Sequence, residues 1–178
     1  ARDLTVTVTP VLADQLEAEG VPERLEKFLR EYRVGSARVD IETAEPDYVP
    51  AAAAEHARYL RAAGLLSAHG GDPLAAFREA SDSGRVCLAA SSATHAVLPL
   101  LATRKGLDLQ IATGMDSHRR RFGRTGGFWL PECAYEPGLE WDLARHGVEW
   151  FCTDQSRFEN GDEALAPVRT GAGPTAFT

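Results

Sequence analysis

The chain has 178 residues, enough for one ordinary domain, or a large piece of a bigger one, with a real core. Nineteen Lys and Arg against 26 Asp and Glu leave a net charge of −7, which argues against a general binder of nucleic acid or of an anionic membrane. Hydrophobic residues at 44% and charged residues at 25% describe a globular chain, and no apolar run approaches the ~20 residues of a membrane-spanning helix. No signal-peptide core follows the opening Ala1-Arg2-Asp3-Leu4. Cys87, Cys133 and Cys152 form no CxxC pair, and their odd number points to a reducing compartment, the cytoplasm.

In chain order, residues 4–9 (LTVTVT) alternate with β-branched side chains and predict a strand. Residues 22–33 predict a helix, with Pro22 at its start and Leu25, Phe28, Leu29 and Tyr32 at helical spacing. An alanine-rich helix is expected over 50–63, stopped by Gly64. Gly70-Gly71-Asp72-Pro73 marks a turn, and 74–81 a short helix. Residues 86–90 predict an apolar strand, and 95–102 a helical segment or a loop. A helix with a basic end follows over 107–122. Residues 127–131, 138–146 and 148–153 then read as strand, helix and strand, a βαβ unit with parallel strands, which makes the chain α/β. Residues 159–163 read as a surface loop, and 173–178 as a strand entry without a partner.

The chemistry concentrates where predicted strands end, because functional side chains in parallel sheets gather at the carboxyl edge. Glu132 stands there, after Pro131; it is placed as a catalytic carboxylate, or as a cap for the next helix. Asp154 follows the next strand. Neighbouring strands lie ~4.8 Å apart, so the two carboxylates can share a pocket, although an Asp there also caps loops. Trp129, Tyr135 and Trp150 lie on the same elements, where aromatic rings either stack on sugars or pack in the core. His95 ends the segment after residues 86–90 and is placed to bond a substrate hydroxyl, or a backbone carbonyl.

Other chemistries find no support. His56, His69, His95, His118 and His146 show no HxH or HExxH pairing for a metal. There is no GxGxxG, P-loop or GxSxG elbow. Arg119, Arg120, Arg121 and Arg124 suit a phosphate, but in a chain of net −7 they read as charges placed against a helix dipole.

The stretch GFWLPECAYEPGLE resembles glycoside hydrolase family 57, and within it the α-1,4-glucan branching enzymes. SSATHAVLPLL resembles the family's ATH-containing segment. DSHRRRFGR resembles the helix before the nucleophile strand, and LARHGVEWFCTD the helix and strand after it. The opening LTVTVTPVLADQLE is similar to the segment after the family's first two strands. The resemblance implies an incomplete (β/α)7 barrel of parallel strands. It implies residues 1–178 as one catalytic-barrel fragment, without the first strands, the acid/base motif and the helical domain. Glu132 is then the nucleophile, and His95, Trp129, Tyr135 and Asp154 contact the substrate.

The implied partner is an α-glucan such as amylose or a glycogen-like polymer. No nucleic acid, membrane, metal or organic cofactor is implied. Related readings are a family 57 amylase or 4-α-glucanotransferase, and a non-catalytic glucan-binding homologue. The last is motivated by Cys87, which stands where the family usually carries a glutamate. The family's opening HxH pair is also absent, and Gln155-Ser156 stand where a histidine is often found.

Overall fold

The computed structural model describes residues 4–123, 125–154 and 166–177. The chain divides into two compact units, one formed by residues 1–13 and 80–178, the other by residues 14–79.

Among the described residues, the first unit is built on a sheet of six strands. These are β1 (Leu4–Thr7), β2 (Val86–Ser91), β3 (Gly127–Trp129), β4 (Trp150–Cys152), β5 (Val168–Arg169) and β6 (Thr175–Phe177). Their spatial order is β1-β2-β3-β4-β6-β5, and every neighbouring pair is parallel except β5 with β6. Residues 173–178, expected as an unpartnered strand, instead place β6 between β4 and β5. The pairing with β4 is non-local, so no local pattern reports it, whereas the pairing with β5 is a short antiparallel hairpin.

The period-2 alternation sorts the sheet into two faces. Ala90, Phe128, Phe151 and Ala176 stand opposite one another across four strands. They form the core with Leu107, Ile111 and Met115 of α6 (Arg104–Phe122) and Leu139 and Leu143 of α7 (Leu139–Arg145). Phe128, Ile111, Leu143 and Phe151 are fully buried. The opposite face carries Thr5, Thr7, Ala89, Trp129, Trp150 and Cys152 around a shallow cavity. Gly127 belongs to that face because a Cβ there would lie 2.1 Å from the Trp150 indole.

The second unit is helical, with α2 (Val21–Lys27), α3 (Val34–Thr43) and α4 (Val49–Ala68). A π-helical stretch, Phe28–Arg33, continues α2 into α3, so the helix predicted to end at residue 33 does not stop there. Helix α4 runs to Ala68; Gly64 does not end it, since its helical geometry carries no positive φ and its own small penalty is outweighed by the helix formers around it. Helices α1 (Pro10–Glu17) and α5 (Pro73–Asp82) join the units, and Asp72 caps α5 by accepting from the Leu74 backbone N–H at 2.8 Å. Among the described residues, no helix is long and apolar enough to cross a membrane. The predicted loop at 159–163 and Arg124 lie outside the described residues.

The basic end of α6 is partly paired along the helix. Arg119 and Arg120 meet Asp116 at 3.6 and 3.3 Å, and Arg121 donates to Ser117. In the same turn, His118 is 5% exposed and its ring lies 5.3 Å from that of Phe122. Burial drops the His118 imidazole from 6.5 to about 4. Above pH 6.5 the ring is neutral whether the chain is folded or not. Between pH 6.5 and 4 the unfolded chain binds a proton that the folded one refuses, and below 4 both bind it. Stability should therefore fall by about 3 kcal/mol as the pH drops through this window. Denaturant unfolding at pH 7 and pH 4.5 checks this, and His118→Leu should remove that part of the pH dependence.

Candidate active site

Three strands deliver their carboxyl ends to one edge. Strand β2 runs into Ser91, whose hydroxyl donates to the Trp129 carbonyl at 2.9 Å and ties the ends of β2 and β3 together. The loop after Ser91 is pinned to α6. The Ala93 N–H donates to the Gln110 carbonyl at 3.0 Å, and the Thr94 N–H to the Gln110 side-chain oxygen at 3.0 Å. His95 then takes a positive φ of 57°, which turns the chain. A single 3₁₀ turn, Leu98–Leu100, is the only helix between residues 95 and 102, where a longer helical segment or a loop was expected.

Strand β3 stops at Trp129, earlier than the Pro131 expected from sequence. Pro131 is fully buried and opens a tight turn. Within it Glu132 has φ 57° and ψ 23°, and Cys133 has φ 51°. Two consecutive non-glycine residues in the left-handed region cost roughly 1–3 kcal/mol each. Such strain persists only where surrounding structure enforces it. Here the Cys133 N–H donates to the Leu130 carbonyl at 2.9 Å, and the Ala134 N–H to the Pro131 carbonyl at 3.1 Å. The turn lifts the Glu132 side chain out of the sheet, leaving it 73% exposed. Because the strand has ended, the alternation that would aim Glu132 away from Trp129 does not govern it.

The structure brings His95 and Glu132 together: Nε2 of His95 lies 3.5 Å from Oε1 of Glu132, although 37 positions separate them. Asp154 follows β4 at the same edge. Burial, with the Asp154 and Glu132 carboxylates, pushes the Cys133 thiol above its ordinary range, so both carboxylates act on one thiol. The Thr153 hydroxyl points at the Cys133 carbonyl at 3.4 Å, linking the β3 and β4 ends. The three cysteines are free thiols.

Trp129 lies on the open face of the sheet, opposite Cys152 in register. Tyr135 has a different setting. Its ring stacks on Phe151 with centroids 5.6 Å apart, and its hydroxyl donates to Glu140 at 2.8 Å. Burial and Glu140 push this phenol up to about 12, so it stays a donor at physiological pH. Sequence reasoning missed Ser91, Gln110 and Glu140 as positioning residues. Each acts through a bond to a distant segment or a neighbouring turn, and none carries a motif of its own.

A mostly parallel sheet backed by helices, with two carboxylates and a histidine at its carboxyl edge, is an arrangement that barrel-type glycoside hydrolases share with other α/β enzymes. The chain belongs to glycosyl hydrolase family 57, whose family model matches residues 23–171. It is 35% identical over 156 residues to a 1,4-alpha-glucan branching enzyme of Thermococcus kodakarensis, covering 83% of this chain and 23% of that protein. The crystal structure of a family 57-type branching enzyme from Pyrococcus horikoshii superposes with a TM-score of 0.85 at 28% identity, over 99% of this chain and 37% of that one. The α-amylase AmyC of Thermotoga maritima gives a TM-score of 0.84 at 26% identity, over 99% of this chain and 36% of that one. The chain thus spans between 23% and 37% of the length of these proteins.

Proposed function

We propose that the longer protein carrying this chain is a retaining 1,4-α-glucan branching enzyme of the cytoplasm. It cleaves an α-1,4 bond and passes the released chain to a 6-hydroxyl. The observation that carries this reading is Glu132, raised from a strained turn at the carboxyl edge with His95 at its tip. The likeness to a curated branching enzyme supports the substrate class.

In the first displacement the Glu132 carboxylate attacks the anomeric carbon as the bond to the leaving oxygen breaks. That oxygen must take a proton from a second carboxylic acid. Asp154 is a pocket residue in this reading, and the acid/base is expected outside the 178 residues. In the second displacement the acceptor 6-hydroxyl attacks the same carbon, returns a proton to the acid/base and frees Glu132. Two inversions give net retention. His95 orients Glu132 and bonds a sugar hydroxyl, and Asp154 accepts from another. Trp129 offers a flat apolar face to a sugar ring. Tyr135, locked between Phe151 and Glu140, meets the glucan at the pocket wall.

The AmyC likeness favours a second reading, an amylase or 4-α-glucanotransferase. Amylose incubated with the full-length protein separates these readings. Branching creates α-1,6 linkages with little change in reducing ends. Hydrolysis raises reducing ends, and disproportionation alters chain lengths without α-1,6 bonds. The isolated 178-residue chain is expected to form no α-1,6 bonds, because double displacement needs both carboxyl groups.

A further inference from the structure

A second concavity lies beside the candidate active site. Its walls come from the loops that follow His95 and Glu132 and from the first turns of α6 and α7: residues 98–107 on one side, residues 136–142 on the other. Leu98 is three positions from His95, and Glu136 is four from Glu132. Even fully extended, four residues span at most about 14 Å. The groove offers about 220 Å³ and opens to solvent, room for a single ring of a larger ligand and not for a whole one.

Its lining is built for a ligand that is polar but neutral. Arg104 has a side chain 77% exposed, yet its guanidinium is anchored on Asp142, a carboxylate only 2% exposed. Arg145 holds the same carboxylate from the other side. The anchor immobilises the Arg104 fork while leaving further N–H donors for a ligand. Glu136 faces the same groove and supplies acceptors. Two carboxylates and one guanidinium line the groove, with Arg145 behind Asp142, so an anion gains nothing there from net charge. Leu101, Ala102 and Pro137 give an apolar strip beside the polar groups. Fixed planar donors and acceptors next to an apolar strip match a pyranose ring, which has hydroxyls at its rim and C–H groups on its faces.

We propose that this groove is an outer sugar subsite, gripping a stretch of α-glucan a few units away from the bond that is broken. The assignment rests on the reading of Glu132 and His95 as a glucan-cleaving site. A long glucan engages the groove and the cleavage site together, so the groove raises affinity for long chains without touching the chemistry.

The test uses the full-length protein with Ala102→Trp, which fills the groove from an exposed position, and Glu136→Gln, which removes a charge without bulk. Binding of maltoheptaose is measured calorimetrically in the Glu132→Gln background, where turnover cannot interfere. Both variants should weaken binding, Ala102→Trp by about 10-fold or more. With Glu132 intact, KM for amylose should rise while kcat, and the rate on a short aryl maltoside, hold. Unchanged maltoheptaose binding in both variants overturns the subsite, even in a protein that branches amylose. So does an equal loss on long and short substrates, or competition by inorganic phosphate. A protein that shows groove-dependent maltoheptaose binding but cleaves no glucan refutes the reading of Glu132 and leaves the subsite standing.

Discussion

Glu132→Gln in the full-length protein should lower kcat on amylose by roughly 10⁴-fold or more, the scale seen when a covalent nucleophile is removed. The substitution keeps the shape of the side chain and changes one oxygen to an amide nitrogen. The amide cannot attack the anomeric carbon, so the glycosyl intermediate does not form. The fold should survive, because the side chain is 73% exposed and its ion pair with His95 is loose at 3.5 Å. Exposed substitutions of this kind usually shift stability by no more than about 0.5 kcal/mol. A mechanism-based fluoroglycoside should label Glu132 in the wild-type protein and leave the variant unlabelled. Label on Asp154, or full branching by the variant, would show that the nucleophile is elsewhere.

His95→Ala is the informative companion, since it removes a neighbour of the carboxylate and not the carboxylate itself. A smaller loss, on the 10²-fold scale of one positioning or polar contact, distinguishes its role from that of Glu132. The two residues illustrate how far the sequence reaches. Glu132 is legible as a strand-end carboxylate because an apolar run leads straight into Pro131. The turn that presents it is not legible, since neither Glu132 nor Cys133 is a residue type that announces a positive φ. Nor does the sequence place His95 against Glu132. That contact depends on β2 and β3 being neighbours, on Ser91 bridging their ends, and on Gln110 holding the loop from a helix 16 positions away.

The fold divides the same way. Strands β2, β3 and β4 and helices α6 and α7 carry strong periodic patterns, and their ends move by only one to three residues. Helix α3 carries a weak one: Val34-Gly35-Ser36 and Val39 disfavour a helix on propensity alone. It forms within the helical unit, where α3 packs along α4 and Ala37 is 2% exposed, so tertiary packing outweighs local preference there.

Glycine provides the sharpest test of that contrast, because one substitution should have opposite signs at two helical positions. In an exposed helix, Gly→Ala stabilises by roughly 0.5–1 kcal/mol through propensity alone. Gly64 in α4 is such a site: a Cβ there meets nothing within 4 Å, so Gly64→Ala should stabilise. Gly114 in α6 has the same propensity to gain, but its Cα presses on the end of β2. A Cβ would sit 1.9 Å from the Ser91 carbonyl oxygen and 3.3 Å from the Ala93 nitrogen. These are backbone atoms that cannot rotate aside, so α6 must move off the sheet. Overpacking against a rigid neighbour costs about 3 kcal/mol or more, several times the propensity gain. The displacement also strains the bonds from Gln110 to Ala93 and Thr94, the bonds that fix the loop leading to His95. Gly114→Ala should therefore lower both the denaturation midpoint and the rate on amylose, while Gly64→Ala raises the midpoint and leaves the rate alone. Equal midpoint shifts in the two variants would mean that α6 does not rest on the Ser91 carbonyl as closely as the structure has it.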